Sequence, residues 1–526
     1  MRRPRLIYYN DAHHFHAKRI DPMLTMNKLR QPVDEVLSTG VDLLILGLGY
    51  GDVYFHQSNV GRVVGEEKDT WENYIDWRIM RMVEDSAGMG TDQVRENIRY
   101  AREMGMPLFP SLKMQDTARQ GDERCGWLKW KYGKDVCFGG DDSDRNTWAY
   151  DFTNRLVQQD KLAMVREMLE DYEADGIELD FMFYPVYFRP GEVETNVATM
   201  NDYVNEIRNL ANQIGRAQGR EIPIAARVAH RRDDNLKLGL DVETWLDEGS
   251  IDLVIGQVSE FLLDTGLPDV DWLAAKANQC GAAAYIRSPR YVYDERSVNP
   301  DIEMYRALLQ NLHLKGFAGL YFGYLGWPFD DYEYKMLREL ANPQSIHRRN
   351  KRYILQPKEL PSGSNETPQL RELPIPIIAG ETTSVSIDVA DDIENAITEK
   401  EARNAILTLR FEFFCIEDEI EFWFNDVQLP REDAEVTDER AMHMPKLPGW
   451  FGGEIAGPPS SSMHWFRWSV DPALVRHGEN VISIEAKKFE PTAGFARKLN
   501  GVELRTRYKE FERPQGFDMP RIQSRS

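Results

Sequence analysis

What most constrains this chain is a repeated rhythm. Over residues 1–342, short apolar runs alternate with amphipathic helical segments, the pattern of consecutive βα units. Eight runs follow one another: Leu6–Asn10, Asp42–Gly49, Pro107–Lys113, Gly176–Phe183, Ile222–Ala229, Ile251–Gln257, Ala282–Arg287 and Gly319–Tyr324. Helical patterns lie between them, at 92–104, 154–172, 200–216 and 302–312 among others. Two of these stop near Gly105 and Gly219, glycine being the residue that tolerates the left-handed turn ending a helix. Eight such units predict a closed (β/α)8 barrel with long loops. A doubly wound open sheet would carry a glycine-rich phosphate turn after an early strand, whereas the first run continues into Asp11-Ala12-His13-His14.

At 526 residues the chain is longer than one hydrophobic core usually supports. From 343 to 375 the composition shifts to Pro, Ser, Arg, Glu and Asn, which reads as a linker. Residues 376–510 then alternate with period two, as in Leu407-Thr408-Leu409-Arg410-Phe411 and Ile420-Glu421-Phe422-Trp423-Phe424. The expected architecture is therefore α/β: a (β/α)8 TIM barrel followed by a C-terminal antiparallel β-sandwich, with a tail at 511–526. The strands show no row of exposed aromatics, so a buttress suits the sandwich better than a carbohydrate-binding module.

A net charge of −22 argues against nucleic acid, whose phosphates demand a basic footprint, and against an anionic membrane surface. Four scattered cysteines, Cys125, Cys137, Cys280 and Cys415, make neither a disulfide framework nor a zinc cluster. No stretch reaches the roughly 20 apolar residues that cross a bilayer. The start, Met1-Arg2-Arg3-Pro4-Arg5, leads straight into a strand without the apolar region of a signal peptide. The expectation is a cytoplasmic protein, or a periplasmic or secreted one whose leader has been removed. A homo-oligomer stays open.

The segment Asp175-Gly176-Ile177-Glu178-Leu179-Asp180-Phe181-Met182-Phe183-Tyr184-Pro185 carries the chemistry. Side chains alternate along a strand, so Ile177, Leu179 and Phe181 face the helices while Glu178, Asp180 and Met182 face the barrel interior. Asp180 is nearer the C-terminal mouth, where barrel enzymes keep their active sites. Burying two carboxylates costs several kcal/mol unless cations compensate or one is held protonated, as a general acid is.

This stretch resembles the fourth-strand motif of bacterial family-10-like glycosyl hydrolases, roughly D-G-I-H-L-D-Y-x-R-Y-P. The run from Arg227-Val228 through Gly239-Leu240-Asp241-Val242-Glu243-Thr244-Trp245 to Ile251-Asp252 is similar to that group's next segment. The resemblance covers the barrel alone. It implies a glycosidase in which Asp180 is catalytic. Glu178 stands where that group often has His, and Phe183 replaces its Arg. A likeness to family-18 chitinases, D-G-x-D-x-D-x-E, fails at Met182, which occupies the place of their acid.

A glycosidase needs a second carboxyl group. Glu260, three residues beyond the sixth run, is the first choice for general acid, Glu178 the second and Asp11 the third. The rim is basic for so acidic a chain: the fifth run gives Arg227, and Lys113, His230, Arg231, Arg232, Arg287 and Arg290 end or follow strands. Arginine forks match carboxylates and sulfates, so an anionic sugar is expected. His13 and His14 are read as substrate-binding, and Tyr50, Tyr285, Tyr321 and Trp327 as sugar-stacking rings, with Tyr184 and Tyr324 nearby. His13, His14 and His16 fit no established ligand spacing, so neither a metal nor any other cofactor is expected. The reading is a glycoside hydrolase acting on an oligo- or polysaccharide. Its rivals are a metal-assisted lyase or isomerase using the histidines with Asp11 or Glu260, and a non-catalytic carbohydrate-binding protein.

Overall fold

The structure, a computed structural model, describes residues 3–66, 68–144, 146–258, 263–289, 291–292, 300–355, 373–438 and 463–509. The chain divides into two compact units. One comprises Met1–Phe261, Leu267–Pro289 and Leu312–Pro343; the other comprises Leu262–Gly266, Arg290–Asn311 and Gln344–Ser526.

The first unit is built on eight parallel strands: β1 (Leu6–Asn10), β2 (Leu43–Gly47), β3 (Leu108–Lys113), β4 (Ile177–Asp180), β5 (Ile224–Ala229), β6 (Leu253–Gln257), β7 (Ala283–Arg287) and β8 (Gly319–Gly323). They close into a barrel in sequence order, β1 pairing with both β2 and β8. The strands are buried along their whole length, which is why they read as near-continuous apolar runs. Ile7, Tyr9, Ile45, Phe109, Ala225, Ile255, Tyr285 and Tyr321 fill the interior as a packed core rather than a pore. The register sets Ser111 beside Glu178, Lys113 beside Asp180, and Asp180 beside Arg227. Those three adjacent strands therefore bring their charged ends to one place.

β4 is shorter than the apolar run suggests. Asp180 Oδ1 accepts the Met182 N–H (2.9 Å), a local turn that ends the strand and takes the chain out to the mouth. Aspartate and asparagine caps start the helices that follow: Asp11 for Ala12–Lys18, Asp92 for Gln93–Glu103, Asn154 for Arg155–Arg166.

The second unit holds two antiparallel sheets. One runs in the order Lys351–Leu355, Arg497–Tyr508, Ala402–Glu412, Met463–Val470, Glu435–Asp438, with Ile375–Ile377 also on the Arg497–Tyr508 strand. The other runs Thr382–Val389, Gly478–Lys488, Glu419–Phe424, Val427–Leu429. Their inner faces share one apolar cluster that includes Leu407, Leu409, Phe411, Phe422, Phe466, Trp468, Ile482 and Ile484. The strand Lys351–Leu355 lies inside the stretch whose composition reads as a linker. Residues 356–372 and the tail at 511–526 lie outside the described residues. This unit also takes in part of the helix Ile302–Leu314: the Asn311 amide donates to the carbonyls of Thr265 (2.8 Å) and Asp388 (3.0 Å). No helix among the described residues is long and apolar enough to cross a membrane.

Candidate active site

Asp180 ends β4 inside the barrel and is 2% exposed. Its Oδ2 pairs with the Arg227 guanidinium from the neighbouring strand, while Arg227 Nε lies 3.7 Å from Glu178 Oε1. Glu178, fully buried one layer deeper, accepts the Ser111 hydroxyl (2.5 Å). Burial pushes the Glu178 carboxyl above its ordinary range; Arg227 opposes this and Asp180 adds to it. One guanidinium thus faces two carboxylates. Burial works against the Arg227 charge, but Asp180 foremost and then Tyr321 and Glu178 raise it well above its usual value.

Asp11 follows β1 at the same end of the barrel. Its Oδ1 accepts the His14 N–H (3.0 Å), and its Oδ2 accepts the hydroxyls of Tyr9 (2.9 Å) and Tyr324 (3.2 Å). Lys113, beside Asp180 in register, reaches to 3.9 Å from Asp11 Oδ2 and lies 4.2 Å over the Phe183 ring. Burial alone would raise Asp11, yet Lys113 and then His14 hold it well below the carboxylate range. Burial lowers His13 to about 4 and His14 to about 3, so both imidazoles are neutral near pH 7. Lys113 is thus the strand neighbour of Asp180 in register while its ammonium lies nearest Asp11.

The remaining residues singled out from the sequence divide into several groups. Arg287 donates to Gln257 Oε1 (2.6 Å) and lies over Tyr324, with its centre 5.4 Å from the ring centroid. His230 is buried, its Nδ1 3.2 Å from the Gln257 carbonyl. Arg231 is at the rim, 3.4 Å from Asp269. Trp327 is half-buried. Glu260 and Arg290 lie outside the described residues.

Three aromatics do not stand as sugar-stacking surfaces. Tyr50 has His13 stacked at 4.1 Å and Arg124 at 3.9 Å; two groups that close cannot share a face, so both faces are covered. Tyr285 is buried, and its hydroxyl donates to the Pro4 carbonyl, at the opposite end of the barrel. Tyr321 is fully buried against Tyr9 and Arg227. His16 also leaves the group, its Nδ1 2.9 Å from the Ala12 carbonyl and its ring beside Phe15 and Phe55.

Tyr9, Arg124 and Gln257 were not singled out from the sequence. Tyr9 had a usable signal, since alternation from Ile7 points it inward one step from Asp11. Arg124 and Gln257 had none, because a loop arginine and a strand-end glutamine are ordinary there.

A broad recess of about 1370 Å³ lies at the other end of the barrel, lined by Arg102, Asp175, Arg208, Arg220 and Asp252 among others. Four of its charges pair with one another, Arg102 with Asp175 at 3.0 Å and Arg208 with Asp252. It lies at the N-terminal ends of the strands, away from the carboxylates of the mouth, so its size does not mark the site.

No family model and no curated protein matches the chain, so the family-10-like resemblance stands without a matching family. Solved structures with some likeness include a cycloisomaltooligosaccharide glucanotransferase from a Paenibacillus species, at 10% identity and a TM-score of 0.36. That match covers 95% of this chain and 57% of the other. A maltogenic α-amylase from Thermotoga neapolitana matches at 10% identity and a TM-score of 0.38, over 91% of this chain and 98% of the other. A family 18 N-acetylglucosaminidase from Paenibacillus barengoltzii matches at 13% identity and a TM-score of 0.36, over 65% and 99%. The barrel assignment rests on its own closed register of eight parallel strands.

Proposed function

We propose that the chain is a glycoside hydrolase acting on an oligo- or polysaccharide at the C-terminal mouth of the barrel. The observation that carries this reading is Asp180, a carboxylate at the mouthward end of β4 held by Arg227 and flanked by Lys113. In a two-carboxylate mechanism Asp180 serves as the nucleophile, or as the base that activates water. Glu260, three residues beyond β6 in sequence, is the proton donor to the leaving oxygen. Glu178 supports the site from below, fixing Arg227 rather than touching substrate. Asp11, kept ionised by Lys113, anchors the Tyr9 and Tyr324 hydroxyls, which both donate to its Oδ2.

The finer part of the proposal is an anionic substrate, carrying a uronate or sulfate group. Lys113 and Arg227 hold Asp11 and Asp180, whereas Arg287, on β7, can be removed with both of those pairs left intact, so it is the cation on which charge reading is tested. Removing a buried charge-assisted contact costs about 1.5–3 kcal/mol, roughly tenfold to a hundredfold. Turnover of matched charged and neutral oligosaccharides by the wild type and Arg287→Ala tests this. The expected result is a loss confined to charged sugars. Equal losses on both would mean that Arg287 holds the loops, and equal wild-type rates on both would remove the anionic assignment.

A further inference from the structure

We propose that Asp11, His13 and His14 form a binding site for one divalent transition-metal ion of the Zn²⁺ type. One ligand atom from each residue lies within 4.8 Å of the others. Donors on a common ion, each about 2.0–2.2 Å from it, can be at most roughly 4.4 Å apart, so small side-chain rotations complete the sphere. Two imidazoles and one carboxylate select borderline ions over Ca²⁺ and Mg²⁺, which take oxygen ligands. Three protein ligands leave the remaining positions to water or to a bound oxygen, as open zinc sites do.

The local fold organises these donors before any ion arrives. All three belong to a single turn, at the point where β1 passes into the helix Ala12–Lys18, and the bond from the His14 N–H to Asp11 Oδ1 fixes that turn. His13 is stacked on Tyr50, with 12° between the ring planes, and His14 meets Tyr324 edge-on with centroids 4.7 Å apart. The Tyr9 and Tyr324 hydroxyls hold Asp11 Oδ2 and the His14 N–H takes one lone pair of Oδ1, so the second lone pair of Oδ1 is the one offered to an ion. Orienting contacts of this kind tune a metal site from outside its ligand sphere. Lys113, 3.9 Å from Oδ2, weakens the attraction for a cation, so binding weaker than at a site without that charge is expected. His16 faces away, so the donor set is three. This assignment is independent of the glycosidase reading, because it concerns binding without substrate.

The test is calorimetric titration of the chelator-stripped full-length chain with Zn²⁺, and separately with Mg²⁺. Co²⁺ absorption serves as a second readout of nitrogen and oxygen ligation. The expected result is one saturable Zn²⁺ per chain, no saturable Mg²⁺, and at least a tenfold loss of affinity in His13→Ala and His14→Ala. Asp11→Asn, which keeps the helix cap, should show the same loss. His347→Ala, at an exposed histidine elsewhere, should titrate like the wild type. Zn²⁺ binding that is absent, or unchanged in both His14→Ala and Asp11→Asn, overturns the proposal.

Discussion

Asp180 and Arg227 are 47 residues apart in sequence and meet in a nearly dry interior. Alternation along β4 tells which way Asp180 points, but only the register of β4 on β5 tells what it meets. That is why both residues were legible singly and their pairing was not. The same limit misplaced Tyr285, because a tyrosine in mid-strand can send its hydroxyl to either end of the barrel. Tyr50 was misjudged for a related reason: the arginine that covers it comes from a distant loop. A different residue-level consequence concerns Asp160, on the helix Arg155–Arg166. Burial pushes its carboxyl up to about 6; Lys161 opposes this and Asp52 reinforces it. The native state then holds this proton more tightly than the unfolded chain does. The stabilisation is present in full below about pH 4 and is lost as the pH rises through about 6. Asp160→Asn removes the titrating group, so its melting temperature should rise relative to the wild type as the pH goes from 4 to 6. A difference that stays constant over that interval would show that Asp160 titrates normally.

At the scale of elements, the barrel strands were easy to read because each is buried on both faces. Their ends were harder: β4 stops at Asp180 through a bond from its own side chain to the backbone, which no hydrophobic pattern records. The small sheet of Gly49–Tyr50, Val53–Tyr54 and Arg62–Val63 was also missed, its strands being two residues each. The glycine of the Asp175-Gly176 turn is a packing requirement at the entry to β4. A Cβ there would lie 2.5 Å from Phe109 Cζ and 2.6 Å from the Pro223 carbonyl. The backbone of β5 cannot retreat without breaking its ladder with β4. Gly176→Ala should therefore cost about 1–3 kcal/mol, as overpacking does. Denaturant titration measures it, and an unchanged midpoint would mean that Phe109 and Pro223 move aside freely.

At the scale of the whole molecule, the chain does not change units once but several times. Residues 262–266 and 290–311 belong with the sandwich unit although they precede its strands in sequence. Contact with residues far along the chain decides this, as when Glu303 pairs with Arg505 (3.1 Å) and the Thr265 N–H reaches the Ile354 carbonyl (3.1 Å). Composition along the chain carries no trace of such pairings. A chain ending at Asn342 would leave Asn311, Glu303 and Thr265 without those partners. Such a chain is expected to melt below the full-length protein and to bind a hydrophobic dye. Equal melting temperatures would show that the residues beyond Asn342 do not stabilise these segments.

The account as a whole depends on the carboxylate of β4. The most direct measurement is release of reducing sugar from a panel of charged and neutral oligosaccharides by the wild type and by Asp180→Asn, with circular dichroism confirming that both are folded. The account predicts that the wild type cleaves at least one member of the panel. It also predicts that the folded variant loses on the order of a thousandfold or more of that rate, about 4 kcal/mol in the barrier. A folded Asp180→Asn that keeps a tenth of wild-type turnover would contradict it.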